Sequence, residues 1–584
     1  MQQTKITKNL GEFQNFLDSD NNKTGMCLED TVGFFDIRRI FGQFETIKQS
    51  GIKVTRIMTT LLVMLFYRSM NIHSYFSRQY GKQADKVEGG KNPYYDLLGN
   101  EYVPWRVILY LFAKRYLVLA GRIVDHTKKR IRALIFDDSL LGKSGIKMEA
   151  VSRVHDHVTG QFILGYKLLV CGYWDGESFM PLDFSLHRER GKELDKTKQK
   201  RNRTRRKARE TEKAYQEHKT QHLQKREVLK SLKDEMESGS TQGAVLEYEK
   251  QEKRVLRSKK KQSSLGKKMK QAKAILAEKE EMVREKEKKT PLYGLTSNQL
   301  RKQFKKKRDK NSPGHERRSE ADMSKSKSVI KMLVRAVRRG FEFDYVLFDS
   351  WFFSKEILAR IESFRTKGIK LIAMVKMGKS LYRDCLTGKE IDAPTLRKHY
   401  KKQAKRNRKY NATFIRVPVW YDNRRVNLFF VRLGSGSKWK VFLTNDLGLT
   451  FNKLIETYQI RWSIEIFFRD GKQHLQLGKC QCNNFDSQIG ATTLVMMQYI
   501  MLLLYKQMHY GKTLGSIFDM LSTQTQEENL TRYLLDIFWE IVHGIGEILK
   551  VDCMELFEEV IRDNQRAEEI ARLFLPELER KRAA

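Results

Sequence analysis

Apolar positions fall along this chain in runs of clearly different character. Residues 131–137, IRALIFD, are apolar almost without interruption and end in acid, as suits a strand buried on both faces of a sheet. Residues 149–156 and 161–174 read as two further strands joined by a turn at HDHVTGQ; the second, QFILGYKLLVCGYW, is rich in β-branched and aromatic residues. After a long polar stretch, Ser328–Arg339 has helical spacing. YVLFD (345–349) is a strand, Ser354–Thr366 a helix and KLIAMVK (370–376) a strand. Alternating strands and helices predict parallel strands, and so an α/β core. TFIRVPVWY, RVNLFFVRL and KWKVFLTND then predict a small antiparallel β unit, with turns at Asp422-Asn423 and Gly434-Ser435-Gly436. The regions before residue 125 and after about 488 read as helical. Ile57–Met70 and Trp105–Leu119 are the clearest N-terminal helices. The apolar runs at Met58–Tyr67 and Leu494–Tyr505 are shorter than the ~20 residues that span a bilayer, so both are expected to be buried helices.

Charge changes the picture in the middle of the chain. The protein has 584 residues and a formal net charge of +42, which points to a polyanionic partner, most simply nucleic acid. Residues 188–327 alone hold 45 Lys and Arg against 22 Asp and Glu. Apolar positions there are sparse: Leu223, Leu232, Val245, Leu256, Leu265 and Ile275. A break at SGSTQG (238–243) divides the segment into two arms, predicting a basic helical hairpin set into the surrounding domain. It is either an arm that grips a DNA backbone or a solvated spacer, and partial disorder is the other outcome of such a composition. The six cysteines, Cys27, Cys171, Cys385, Cys480, Cys482 and Cys553, are scattered in a Lys-rich chain. They fit free thiols in a reducing cytosol better than a metal site, since Cys480-x-Cys482 has no second pair.

The candidate chemistry lies in YQIRWSIEIFFRDGK. Tyr458, Arg461, Glu465 and Lys472 are separated by three, four and seven residues and share one face of a helix. Ile460, Ile464, Phe467 and Phe468 point roughly the other way, toward a core. A carboxylate among phosphate-seeking groups makes sense if a divalent metal lies between it and phosphate. Two strand-end aspartates, Asp137 in LIFDDS and Asp349 in LFDSWF, supply partners, because ligands gather at the carboxyl ends of parallel strands. Each aspartate alone is more often a turn or capping residue, and Asp349-Ser350 fits the start of the next helix. Three converging carboxylates repel one another unless cations sit among them, and their hard oxygens favour Mg²⁺.

In order and spacing these motifs resemble bacterial insertion-sequence transposases of the DDE superfamily. The branch is the one whose last motif reads Tyr-x2-Arg-x3-Glu-x6-Lys, the IS-four-type family. The resemblance covers 130–186, 328–378 and 440–505. It implies an α/β multidomain protein with an RNase H-like core, a mixed five-stranded sheet with flanking helices. The core falls in three parts, 126–187, 328–379 and 451–487. The basic hairpin (188–327) and a β-rich insertion (380–450) interrupt it, and helical regions flank it: 1–125, for DNA binding or as a cap, and 488–584.

The resemblance further implies that Asp137, Asp349 and Glu465 are the catalytic, metal-binding triad for two Mg²⁺ ions, or Mn²⁺ in their place. Asp138 stays open as an alternative to Asp137, which fits the family's Asp-x-Ser pattern through Ser139. Tyr458, Arg461 and Lys472 would contact DNA phosphates. Trp462 would stack on a base, or else be a core residue. The activity implied is cleavage at terminal inverted repeats and joining of the freed 3′-OH to target DNA, by a homodimer on double-stranded DNA in the bacterial cytoplasm. Two rival functions share parts of the pattern: a non-transposing RNase H-like nuclease, and a non-enzymatic basic nucleic-acid-binding protein.

Overall fold

The computed structural model describes residues 28–77, 90–123, 130–190, 192–237, 242–289, 292–434, 438–509 and 511–550. It forms two compact units: residues to Leu141 with Leu168–His187 and Lys305 onward, and Gly142–Lys167 with Arg188–Phe304.

In the first unit a mixed sheet carries the candidate site. Its strands are β1 (Ala133–Gly142), β2 (Ser152–His155), β3 (Phe162–Trp174), β4 (Phe179–His187), β5 (Tyr345–Phe348), β6 (Lys370–Val375), β7 (Leu381–Asp384), β8 (Glu390–Asp392), β9 (Lys405–Asn407), β10 (Ala412–Tyr421), β11 (Arg424–Leu433) and β12 (Lys440–Thr444), with β2 and the start of β3 in the second unit. The order runs β3-β1-β5-β6-β12-β11-β10-β7-β8, with β4 on β3 and β9 on β10. β1 and β5 are parallel, Ala133 opposite Tyr345 through Phe136 opposite Phe348. β5 and β6 are also parallel, with Phe348 opposite Ala373. The centre is dry: Ala133–Phe136 and Val346–Phe348 are fully buried, and the Phe136 and Phe348 rings stack at 5.1 Å. That burial is why both segments read as continuous apolar runs.

The β insertion is not a separate unit. β12 pairs antiparallel with β6, Thr444 opposite Ile372, so the insertion prolongs the core sheet. It also holds elements that the sequence pattern did not show: β7, β8, β9 and the helix Ala393–His399.

β4 is a further addition. Pro181 and Asp183 break the apolar pattern of FMPLDFSLH, yet every residue of it is buried. Arg106, Arg335 and Arg317 satisfy Asp183, with Arg106 Nε at 3.0 Å and Arg335 Nε at 2.8 Å. Burial alone would raise its carboxyl, but these guanidinium groups hold it well below the usual range. Arg317 and Glu320, both buried, come from the basic stretch 188–327, so from Lys305 onward that stretch belongs to this unit's core.

The N-terminal helices pack on Phe485–Met508, where Gln498 Nε2 donates to Leu62 O at 2.8 Å. Gly490 permits the approach, since a Cβ there would lie 2.7 Å from Leu98 and 2.9 Å from Trp105. Residues Phe485–Gln507 are long and apolar enough to cross a membrane, contrary to the length argument from sequence. The most apolar window of this helix is 94% buried within the fold, as for a core helix.

In the second unit the helices Lys192–Glu237 and Gln242–Lys289 run antiparallel. Arg205 pairs with Glu280 at 2.5 Å and Glu212 with Lys273 at 2.6 Å; nearer the tip, Gln251 Nε2 donates to Lys225 O at 3.2 Å. Most of the break predicted at 238–243 lies outside the described residues. Four of the sparse apolar positions lie outside the contact between the helices. Leu223, Val245, Leu256 and Ile275 are exposed, while Ala208, His218, His222, Gln251, Ser258 and Val283 are buried. Without sustained heptads, small and polar side chains fill the contact.

Candidate active site at the ends of β1 and β5

The parallel register positions the first two acids. Phe136 and Phe348 are the last paired residues of β1 and β5, so Asp137 and Asp349 leave the pair side by side, about one strand spacing (~4.8 Å) apart in the backbone. Neither caps a helix, although Asp349 opens a turn in which its O accepts from Phe352 N at 3.2 Å. β1 continues through Asp137 to Gly142, and Ser354, not Asp349, accepts the Ile357 N–H to cap the helix Lys355–Glu362. Each carboxylate is braced by the next amide: Asp138 N to Asp137 Oδ1 is 2.8 Å, and Ser350 N to Asp349 Oδ1 is 2.6 Å.

The third acid arrives on the segment after the β insertion. Thr450 caps the helix Phe451–Gln459 by accepting the Lys453 N–H. One tight turn, Ile460–Trp462, leads into the helix Ser463–Gln473. Backbone angles stay right-handed helical across the turn, so the predicted face survives although the helix is not one uniform α-helix. Ile464, Phe467 and Phe468 are buried as expected, whereas Ile460 is half-buried.

Arg461 joins the pieces. Its Nη1 lies 2.8 Å from Asp137 Oδ2 and its Nη2 lies 2.6 Å from Glu465 Oε1. Sequence reasoning assigned Arg461 to phosphate, but here its guanidinium bridges two carboxylates. The Arg461–Glu465 pair was legible as i,i+4 spacing; the bond to Asp137 was not. Tyr458 donates to Phe348 O at 3.2 Å and packs edge-on to Phe442, and Lys472 Nζ donates to Ser139 Oγ at 2.7 Å. Asp138 is paired instead with Lys325, which fits the alternation of a strand. Trp462 is 60% exposed, so the core reading of this residue is overturned. Lys325 and Trp351 are neighbours of the site that the motifs did not single out.

Burial pushes the Asp137 carboxyl up to about 7; Arg461 opposes the rise, and Asp138 and Asp349 add to it. Burial likewise raises the Tyr458 phenol, with Asp349 and Asp137 contributing. Burial works against the Arg461 charge, but Tyr458, Asp137 and Glu465 raise its pKa above the usual value.

Among the described residues no three His, Cys, Asp or Glu side chains stand close enough together to hold a metal ion. The donor set still fits a hard divalent cation: Asp137 and Asp349 emerge together, and a cationic group already sits between Asp137 and Glu465. The described cysteines Cys171, Cys385, Cys480 and Cys482 form no disulfide with one another, and Cys27 and Cys553 lie outside the described residues.

No curated protein matches the chain. Residues 318–501 match the family model described as the transposase DDE domain. The matched segment takes in β5 with Asp349, the β insertion and the whole Tyr458–Lys472 face, and it starts after Asp137. Together with the mixed α/β sheet, this match supports a DDE transposase.

Proposed function

We propose that the chain is a transposase of the Tyr-x2-Arg-x3-Glu-x6-Lys, IS-four-type branch that cleaves the ends of its own element and joins them to target DNA. The observation that carries this reading is the Arg461 bridge. A guanidinium ties Asp137, beside Asp349 at the strand ends, to Glu465 from a segment more than three hundred residues away. In this reading Asp137, Asp349 and Glu465 would hold divalent ions, Mg²⁺ or Mn²⁺, which when bound supply positive charge at phosphorus for the attacking and leaving oxygens.

The chain's own groups do the rest. With Asp137 and Glu465 holding the ions, Arg461 would be released from a carboxylate to pair with the DNA backbone. Tyr458, fixed on Phe348 O, and Lys472, beside Ser139, flank the same backbone. Trp462, in solvent next to Arg461, stacks on a base at the element end, as a hairpin intermediate would require. Two ends must be held together, so a dimer on the terminal inverted repeats is expected.

The test is cleavage of the chain's flanking DNA ends with Mg²⁺. Asp137→Asn, Asp349→Asn and Glu465→Gln should each abolish nicking and leave DNA binding largely intact. Retained nicking in any one removes that residue from the triad. Supplying a pre-cleaved 3′-OH end and target DNA distinguishes a transposase from a nuclease, which joins nothing.

A further inference from the structure

A second tryptophan near the site is unexplained by the triad. Trp351 is 65% exposed, two residues after Asp349. Single exposed apolar residues are ordinary on protein surfaces, but this one is set apart by its place and its company. β5 and β6 are parallel with Phe348 level with Ala373, so Asp349–Trp351, which follow β5, and Lys376, which follows the last residue of β6, lie at the same end of the sheet. There Lys376 Nζ lies 3.8 Å from the centre of the Trp351 ring. A cation so placed is attracted to the face of the ring and biases it toward one orientation.

An oriented aromatic surface with an ammonium beside it matches the chemistry of one nucleotide: the ring stacks on the base and the ammonium meets the phosphate. A base within a duplex has both faces covered by its neighbours. An unpaired or extruded base does not. We infer that Trp351 and Lys376 form a stacking site for an unpaired nucleobase next to Asp349, distinct from Trp462 because it is built on β5 and β6 rather than on the Glu465 segment. The inference rests on the DNA-cleavage reading for the nature of its ligand.

The test uses the full chain without divalent metal and two probes: a DNA duplex carrying one unpaired 2-aminopurine, and the same duplex fully paired. Stacking tolerates any sequence, so the terminal repeat need not be known. The wild type should quench the unpaired 2-aminopurine. Trp351→Ala should lose the quench and bind that probe about 5- to 100-fold more weakly, with the paired duplex bound as before. Trp351→Phe should keep most of the quench, which also guards against a folding defect. Lys376→Gln should weaken the unpaired probe a few-fold. Wild-type quenching and affinity in Trp351→Ala, or equal weakening on both probes, would overturn the inference. Cleavage with Mg²⁺ is scored separately. A Trp351-dependent quench without any cleavage would sink the enzyme reading and spare this one; cleavage with Trp351→Ala indifferent to the unpaired base would do the reverse.

Discussion

Replacing Asp137 by Asn should make the metal-free protein more stable at alkaline pH while destroying its proposed chemistry. Burial raises the Asp137 carboxyl from 3.8 to about 7. A shift of about 3 units corresponds to roughly 4 kcal/mol once the group is forced to ionise. Asn removes that cost, and the attraction of Arg461 Nη1, 2.8 Å away, is already counted in the net shift. Arg461 keeps Glu465, so the variant should gain up to roughly 4 kcal/mol above about pH 7, read as a rise in Tm.

The sign follows from proton binding. With its folded pKa above the unfolded value, Asp137 holds a proton in the folded state through a range where the unfolded chain has lost it. The wild type therefore loses stability as pH rises from about 4 to about 7 and levels off above. Thermal melts of both proteins in chelator, from about pH 5 to about pH 8.5, should show the variant gaining on the wild type as pH rises. Mg²⁺ should then stabilise the wild type far more than the variant. A Tm difference that stays flat with pH would mean that Asp137 is ionised throughout and that Arg461 outweighs burial, refuting the reasoning.

The remaining predictions concern the hairpin and the buried charges. Replacing residues 192–289 by a short linker should flatten the salt dependence of DNA binding by about 0.9 in log–log slope for each phosphate that the hairpin neutralises, read by titration at several salt concentrations; an unchanged slope makes the hairpin a spacer. Asp183→Asn leaves Arg106, Arg317 and Arg335 short of a buried counter-charge and should cost about 3–5 kcal/mol in denaturant unfolding. A destabilisation below about 1 kcal/mol would show that Glu320 and Glu316 hold the cluster without it.

Where burial was two-sided and local, the fold was legible. IRALIFD, YVLFD and KLIAMVK became β1, β5 and β6, because a central parallel strand is apolar at every position. β4 escaped because its burial depends on distant arginines: nothing in FMPLDFSLH announces that Asp183 will be neutralised by Arg106, Arg317 and Arg335. The hairpin was legible from charge and length, but its seam was not, since Leu223 and Leu256, two of its few apolar residues, face solvent. The basic insertion ends earlier than its charge suggests for a related reason. Arg317 and Glu320 read as surface charges in sequence and are buried in a network whose other members lie far away in the chain.

The site shows the same division between local and distant information. Helical spacing placed Tyr458, Arg461, Glu465 and Lys472 on one face, and that face withstands a tight turn at Ile460–Trp462 because the backbone angles hardly change. Spacing could not say what the face meets. The parallel register of β1 and β5 supplies that, bringing Asp137 and Asp349 level and setting Asp137 within reach of Arg461. On the proposed function the motif would act as a lock: Arg461, which bridges Asp137 and Glu465, would neutralise those acids until cations took its place. If so, Arg461→Ala should weaken DNA binding and also lower the metal-free stability of the fold. Lys472→Ala removes a bond to the hydroxyl of Ser139 rather than a bridge between two acids, and should weaken binding with little effect on stability. Equal effects of the two substitutions on stability would show that the Arg461 bridge neutralises nothing that the fold depends on.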